Sequence, residues 1–256
     1  MVVALIDDLQ FQQRLEAAAQ ALGLAVRYPS PSDAPVDFLV AHQPRLIVVD
    51  LHARSLDWRA WVLAAKTSPA TRKMPILAFG PHVETALWQE ARQLGCDAVT
   101  SNGSFAADPV GAIQRHARPD ESAELHRQAQ QPLPALARKA IEQFNRGEYW
   151  EQHETFESVW RAEPGPIRQM YQGILQVGVA YYQIQRHNYL GARKMFQRAW
   201  QYLNVLPDIC QGVDVAQLRA DAKAAMDELE RLGPERIAEF DLALLKPIHL
   251  LDEGRE

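Results

Sequence analysis

The sequence predicts two domains of different class: an α/β domain with a doubly wound, five-stranded parallel sheet, followed by an all-α bundle of stacked helical hairpins. Short apolar runs alternate with helical patterns over residues 1–117, and every strong pattern in residues 134–256 is helical. The 256 residues also suffice for two ordinary domains. The polar stretch 118–133 carries two prolines and is predicted to be a linker whose middle could continue as an exposed helix.

The apolar runs of the first domain have the length and composition of buried strands. A parallel strand is apolar throughout because helices cover both faces of its sheet. Helical patterns separate the runs, and Gly23 and Gly95 close two of these helices. The predicted strands cover residues 2–6, 24–28, 46–49, 76–79 and 98–101, and the predicted helices cover residues 11–22, a short segment ending at Pro44, and residues 83–94.

Acidic residues stand at the ends of two predicted strands. Asp7 and Asp8 follow the first strand, and Asp50 follows the third. The carboxyl ends of parallel strands share one edge of the sheet, so the three carboxylates are expected to lie together. With this arrangement, residues 1–117 resemble a response-regulator receiver domain. The resemblance implies that Asp7, Asp8 and Asp50 bind Mg²⁺ weakly and that Asp50 is the phospho-acceptor.

The resemblance fails at two positions that receiver domains use for switching. The hydroxyl residue expected after the fourth strand falls on Gly80, and the lysine expected after the fifth falls on Asn102. The lysine would contact the phosphoryl oxygens, and the hydroxyl would report the phosphoryl group to the rest of the fold. We therefore predict a degenerate, non-switching receiver that acts as a scaffold or dimerisation surface. Two alternatives stay open: a phosphorylatable response regulator using Asp50, and a generic flavodoxin-like sheet whose loop-end acids are merely solvated.

The second domain contains an internal repeat. Helices are predicted at residues 136–145, 149–161, 167–187, 189–203 and 215–232, the last capped by Asp214. A shift of forty residues superimposes four identities, which indicates two stacked helical hairpins of similar build. The matched pairs are Arg146 and Arg186, Tyr149 and Tyr189, Phe156 and Phe196, and Trp160 and Trp200. The phenylalanines and tryptophans among them are predicted to be core residues.

The two copies differ at three polar positions. His153, Glu154 and Glu157 of the first copy are matched by Arg193, Lys194 and Gln197 of the second. Packing alone therefore does not require a histidine and two acids in the first hairpin. On the next helix, which is otherwise apolar, polar residues occupy one narrow arc, and these are Gln172, Gln176, Gln183 and His187.

These residues also carry a family resemblance. The pattern H-E-x-x-E-x-x-W begins at His153, follows Gly147 and precedes Tyr-Gln-Gly-x-x-Gln, which begins at Tyr171. In combination these motifs resemble a bacterial family of helical domains catalogued as domain of unknown function, family 309, over about residues 134–205. The resemblance implies an all-helical bundle and no established activity.

Three interpretations of the polar cluster stay open. In the first, His153 pairs with Glu157, and Gln172, Gln176 and Gln183 satisfy them across the helix interface, which would fix the helix register. In the second, His153, Glu154, Glu157 and His187 bind a divalent transition metal such as zinc, iron or manganese. The third is a metal-free acid/base site in which Glu157 orients His153.

Charge and composition narrow the function. The net charge of −5 lies entirely in the second half, where sixteen basic residues stand against twenty-one acidic ones from Asp120 onward, so no broad basic face for nucleic acid is predicted. No leader or membrane span is recognised, and we expect a cytoplasmic protein. The favoured function is a regulatory or scaffolding protein whose helical domain binds a partner protein, with a homodimer as one option. The competing hypothesis is a metal-dependent hydrolase with its site in the helical domain.

Overall fold

The structure, a computed structural model, describes residues 1–251. The chain divides into two compact units between Asp120 and Glu121. Among the described residues, no helix has both the length and the apolar character needed to cross a membrane.

The first unit is built on a five-stranded, wholly parallel sheet with the strand order β2-β1-β3-β4-β5. Helices cover both faces, and each face has its own apolar core. The strands are β1 (Val2–Leu5), β2 (Val26–Arg27), β3 (Leu46–Asp50), β4 (Ile76–Gly80) and β5 (Ala98–Ser101). The helices are α1 (Leu9–Ala21), α2 (Pro35–His42), α3 (Trp58–Thr67), α4 (Thr85–Leu94), α5 (Asn102–Ala107) and α6 (Pro109–His116).

The predicted α/β fold class is confirmed, with two differences: α3, α5 and α6 lie where no helix was predicted, and β2 is shorter than predicted. Every residue of β1, β3 and β4 is buried, so the apolar runs mark these strands clearly. Strand β2 lies at the sheet edge and pairs only with β1, through two residues rather than the five predicted. Very short edge strands are common in proteins, because they leave few unpaired backbone groups exposed to other chains.

The second unit is a helical bundle with one short antiparallel hairpin. Its helices are α7 (Ser122–Ala129), α8 (Ala135–Asn145), α9 (Tyr149–Ala162), α10 (Arg168–Gln185), α11 (Tyr189–Leu203) and α12 (Val215–Leu232). The hairpin consists of β6 (Ile209–Cys210) and β7 (Val213–Asp214). Two 3₁₀ turns follow α12, at Ile237–Glu239 and Leu242–Leu244. This confirms the predicted all-α class of the second half.

Helix α7 lies inside the stretch that the sequence assigns to a linker at 118–133. Its side chains Leu125 and Ala129 are one turn apart, and both are buried in the apolar core of the second unit. An exposed helix would have left them in water. The helical unit therefore begins at Glu121 rather than at residue 134.

The repeat appears in the turns as well as in the core. Phe156 and Phe196 are fully buried, whereas the equivalent Trp160 and Trp200 are partly buried against the same core. Both hairpins end their preceding helix with a residue in the left-handed conformation, Gly147 with φ 77° and His187 with φ 55°. In both turns the next backbone N–H donates to the carbonyl five residues earlier, so the two turns are the same helix-ending Schellman motif.

His187→Gly is expected to raise the free energy of unfolding by about 0.5–1 kcal/mol. A side chain in the left-handed region costs roughly 1–2 kcal/mol, and glycine removes that cost while adding some flexibility to the unfolded chain. Urea unfolding would measure the change. His187→Ala is the control, because alanine keeps the strained β-carbon; a gain as large as that of glycine would show that strain is not the cause.

Both cysteines are buried and free. Cys96 lies in the first unit and Cys210 in the second. Burial raises the pKa of each thiol to about 12.

Candidate functional site

Two of the three carboxylates at the sheet edge each accept two or more hydrogen bonds from protein donors. The Asp8 carboxylate caps α1 by accepting hydrogen bonds from the backbone N–H groups of Gln10 at 2.8 Å and Phe11 at 3.2 Å. The Asp7 carboxylate accepts from the backbone N–H groups of Arg54 at 2.5 Å and Ser55 at 2.8 Å, and from the Ser55 hydroxyl. The loop that follows β3 is thereby fastened to the end of β1.

The third carboxylate, Asp50, is 6% exposed and accepts a hydrogen bond from the His52 backbone N–H at 2.9 Å. Burial raises the pKa of Asp50, and the negative charges of Asp7 and Asp8 raise it further, against the opposing influence of His52. Burial would also raise the pKa of Asp7, but the hydrogen bonds to Asp7 outweigh it and hold that pKa below its usual range. Asp7 and Asp8 are therefore near enough to Asp50 for their charges to influence its pKa.

The charge on Asp50 should cost stability in a way that depends on pH. Asp50→Asn is expected to raise the free energy of unfolding at pH 7, and the gain should shrink towards pH 4. The folded state disfavours the charged carboxyl, so the penalty is present above the raised pKa and disappears as falling pH protonates the group in both states. Urea unfolding at both pH values would measure it, with the exposed Asp37→Asn as control. An equal gain at both pH values would exclude ionisation as the source.

The second unit presents one continuous polar and aromatic surface, which we call the α10 face. Its floor consists of half-buried side chains along one side of α10, namely Arg168, Gln172, Gln176, Val179 and Gln183, with Arg186 just beyond the helix end. Its walls are formed by Trp150, His153, Glu157 and Trp160 of α9 and by Gly191, Met195, Arg198 and Tyr202 of α11.

Contacts between α9 and α10 set the level of the first wall. The Trp150 ring lies 6.1 Å from the Tyr182 ring, and at the other end the Arg168 guanidinium lies 5.0 Å over the Trp160 ring. The two helices are therefore antiparallel. Midway, the Gln152 amide donates to the Leu175 carbonyl at 3.5 Å. The adjacent His153 accordingly lies at about the level of Gln176.

Contacts between α10 and α11 set the level of the second wall. A β-carbon at Gly173 would lie 2.5 Å from Leu203 Cδ2, and one at Gly191 would lie 3.0 Å from Gln183 Oε1. These two approaches fix an antiparallel register in which Arg198 stands at about the level of Gln176. His153, Gln176 and Arg198 therefore lie at about the same level on three neighbouring helices of the α10 face.

Each of these three side chains holds a buried polar atom without a hydrogen-bond partner among the described residues. The atoms are His153 Nδ1, Gln176 Oε1 and Arg198 Nε. A buried polar atom left unsatisfied costs about 1–3 kcal/mol, so such a group calls for an explanation. All three residues are only half-buried, so part of each side chain is reachable from solvent.

The α10 face, apart from Arg198 and Tyr202, lies within a segment that matches a protein-family model. Residues 137–195 match the family model described as Domain of unknown function (DUF309). The predicted resemblance is thereby confirmed, over a segment that runs from α8 into α11. A comparison with curated proteins gives no match. One solved structure, described as a response regulator from Chloroflexus aurantiacus, is 15% identical and covers 44% of this chain and 93% of that chain, with a TM-score of 0.40. This TM-score is too low to support an argument about fold, so we assign the fold of the first unit from its strand order.

Within the DUF309 segment, the predicted polar residues do not pair as the sequence suggests. Glu157 accepts a hydrogen bond from Arg161 at 2.6 Å instead of bonding to His153. Both partners lie one turn from Glu157, and the bond from the guanidinium is charge-assisted and therefore stronger. Gln183 accepts from Asn188 at 2.8 Å, next to the end of α10. In the antiparallel register of α9 and α10, His153 lies at about the level of Gln176 and Glu157 at about the level of Gln172.

The other candidate metal ligands are spread apart. Glu154 is exposed on α9, and His187 is exposed in the turn after α10. Residues 1–251 contain no group of three or more histidine, cysteine, aspartate or glutamate side chains that could hold a metal ion. This range includes both the sheet edge and the DUF309 segment.

Two residues of the site were absent from the sequence prediction. Gln152 is fully buried, donates to the Tyr149 carbonyl at 3.1 Å and leaves its Oε1 atom without a partner among the described residues. The repeat could have indicated Gln152, because the equivalent position in the second copy is the buried, apolar Ala192. Arg198 has no such signal, since its place opposite Gln176 depends on how the helices pair.

Proposed function

We propose that the helical unit is a binding module that takes a partner protein on the α10 face, and that the receiver-like unit serves as a scaffold without a phosphorylation switch. The observation that carries the proposal is the group formed by His153 Nδ1, Gln176 Oε1 and Arg198 Nε, buried at one level without partners within residues 1–251. Side-chain rotamer changes at interfaces are common, so a partner that turns these half-buried side chains could reach the three atoms and satisfy them.

The aromatic residues of the α10 face support the same function. Trp150 is 56% exposed, and its ring lies beside the rings of His153 at 6.0 Å and Tyr182 at 6.1 Å. Tryptophan, tyrosine and arginine are enriched among the residues that contribute most to protein interfaces. The face therefore combines aromatic anchors with polar groups that lack partners.

Position-specific photo-crosslinking tests this function. A benzophenone amino acid replaces Val179 in the full-length chain in its host cell, and the control position is the exposed Lys139 on α8. We expect one discrete protein adduct from position 179, absent from position 139 and strongly reduced when Gln176→Ala is added. Absence of an adduct at position 179, or the same adducts at both positions, would overturn the proposal.

The scaffold role predicts that Asp50 is not phosphorylated. Incubation with acetyl phosphate and Mg²⁺ should leave the mass of the intact protein unchanged, because Asp7 is engaged by the loop after β3 and Asn102 stands where the receiver lysine would be. An authentic receiver domain serves as the positive control. A mass increase of one phosphoryl group that Asp50→Asn abolishes would favour the phosphorylatable regulator instead.

A further inference from the structure

We infer that the α10 face takes a carboxylate at Arg198, and that the partner presents it on an acidic segment lying along α10. This inference rests on the proposed function and adds the chemical class of the partner. At that level the Arg198 guanidinium and the Gln176 side-chain NH₂ group can donate to a carboxylate, whereas Gln176 Oε1 is an acceptor and would take an N–H or O–H donor from the same partner.

The charge distribution of the second unit supports an acidic ligand. Although this half of the chain is acidic overall, the α10 face carries Arg168, Arg186 and Arg198. None of the three forms an ion pair within the described part of the chain. Elsewhere among the described residues of the unit, eight basic residues are paired with acids, as Arg193 is with Glu230 and Arg219 with Asp208, whereas Arg138, Lys139, Lys194 and Lys246 form no ion pair. The acid of the face, Glu157, is paired with Arg161, so the charges that the face leaves unpaired are the three arginines.

The three arginines form a row with regular spacing. Arg168 and Arg186 lie at opposite ends of α10, over the rings of Trp160 at 5.0 Å and Tyr182 at 5.5 Å. Arg198 stands near the middle, at about the level of Gln176. With a rise of 1.5 Å per residue, the backbone positions of neighbouring arginines lie about 12 Å and 15 Å apart along the helix axis. A partner segment with carboxylates at a similar spacing would match all three.

A carboxylate fits the central position better than a phosphate. A phosphate group carries about −1.5 to −2 charges at neutral pH and is usually held by several cations or by a helix N-terminus. Here the arginines stand singly, and the groups beside Arg198 are a neutral amide and an imidazole. One guanidinium matches one carboxylate in charge and in its two-pronged geometry.

Binding of fluorescein-labelled polyglutamate of about twenty residues to the full-length protein tests the inference by fluorescence anisotropy. Arg198→Gln should weaken binding at least tenfold, whereas Arg138→Gln, which removes an exposed arginine of α8 outside the face, should change it less than twofold. Arg198→Lys keeps the charge but loses the two-pronged geometry, so we expect an intermediate loss. This variant also serves if Arg198→Gln fails to fold.

Three results would overturn the inference: no binding of polyglutamate, equal losses for the Arg198 and Arg138 variants, or tighter binding of a phosphoserine peptide or a DNA 20-mer than of polyglutamate. The crosslinking experiment separates the two proposals. A specific adduct at position 179 together with any of these results would exclude the carboxylate ligand while still supporting a binding module. Absence of that adduct would exclude the proposal that the helical unit is a binding module.

Discussion

Phe156→Ala and Phe196→Ala are each expected to lower the free energy of unfolding by about 3–5 kcal/mol. Both rings are fully buried in the single core of the helical unit. Their truncation removes buried apolar area and leaves a cavity. Because the two residues occupy equivalent positions of the repeat, their costs should be similar. Urea unfolding followed by circular dichroism would measure both.

The matched controls are the exposed residues at the second position of each repeat helix. Trp150 is 56% exposed and Leu190 is 73% exposed, so Trp150→Ala and Leu190→Ala should each change stability by less than about 0.5 kcal/mol. A large cost for Trp150→Ala would mean that this ring is held by packing and would weaken its assignment as a binding residue. Similar costs for all four variants would contradict the core assignment.

Gly178→Ala is expected to lower the free energy of unfolding by about 1–3 kcal/mol, although alanine normally favours a helix. A methyl group at this position would collide with the side-chain amide of Gln152, whose Cδ would lie 2.8 Å away. Gln152 is fully buried and cannot swing into solvent. Helix α10 must therefore move away from α9, or Gln152 must give up its bonds to backbone carbonyls.

A double-mutant cycle isolates this collision. Gln152→Ala removes the obstructing amide, so the double variant should lose less stability than the two single changes together. The control is Gly103→Ala in α5, where a β-carbon would have its nearest neighbour 4.0 Å away and alanine should be neutral or stabilising. If the costs at positions 152 and 178 simply add, the close approach of the two helices is not the cause.

The elements that the sequence predicted well are those with a strong local pattern. Helix α11 has its predicted bounds, 189–203, because the Asn188 side chain accepts from the Gly191 N–H at its start and four residues of one side are buried. Strand β3 is buried throughout and reads as an unbroken apolar run. Helix α7 was harder to place, because Leu125 and Ala129 are too few to show in advance that a polar segment packs inward.

The candidate site could be predicted only in part. Comparison of the two repeat copies singled out His153, because Arg193 occupies the equivalent position and packing alone therefore does not require a histidine there. The sequence could not show that Glu157 would pair with Arg161 rather than with His153, because each of these residues lies one helical turn from Glu157. Nor could it place Arg198 opposite Gln176, because that depends on the register between α10 and α11.

The two buried cysteines have a practical consequence for future labelling work. Only the thiolate reacts with maleimides, and with pKa values of about 12 both thiols remain protonated and shielded at neutral pH. The folded wild-type chain should therefore behave almost as a cysteine-free background. A single cysteine introduced at an exposed position such as Leu190 could carry a fluorophore or spin label without any prior removal of native cysteines.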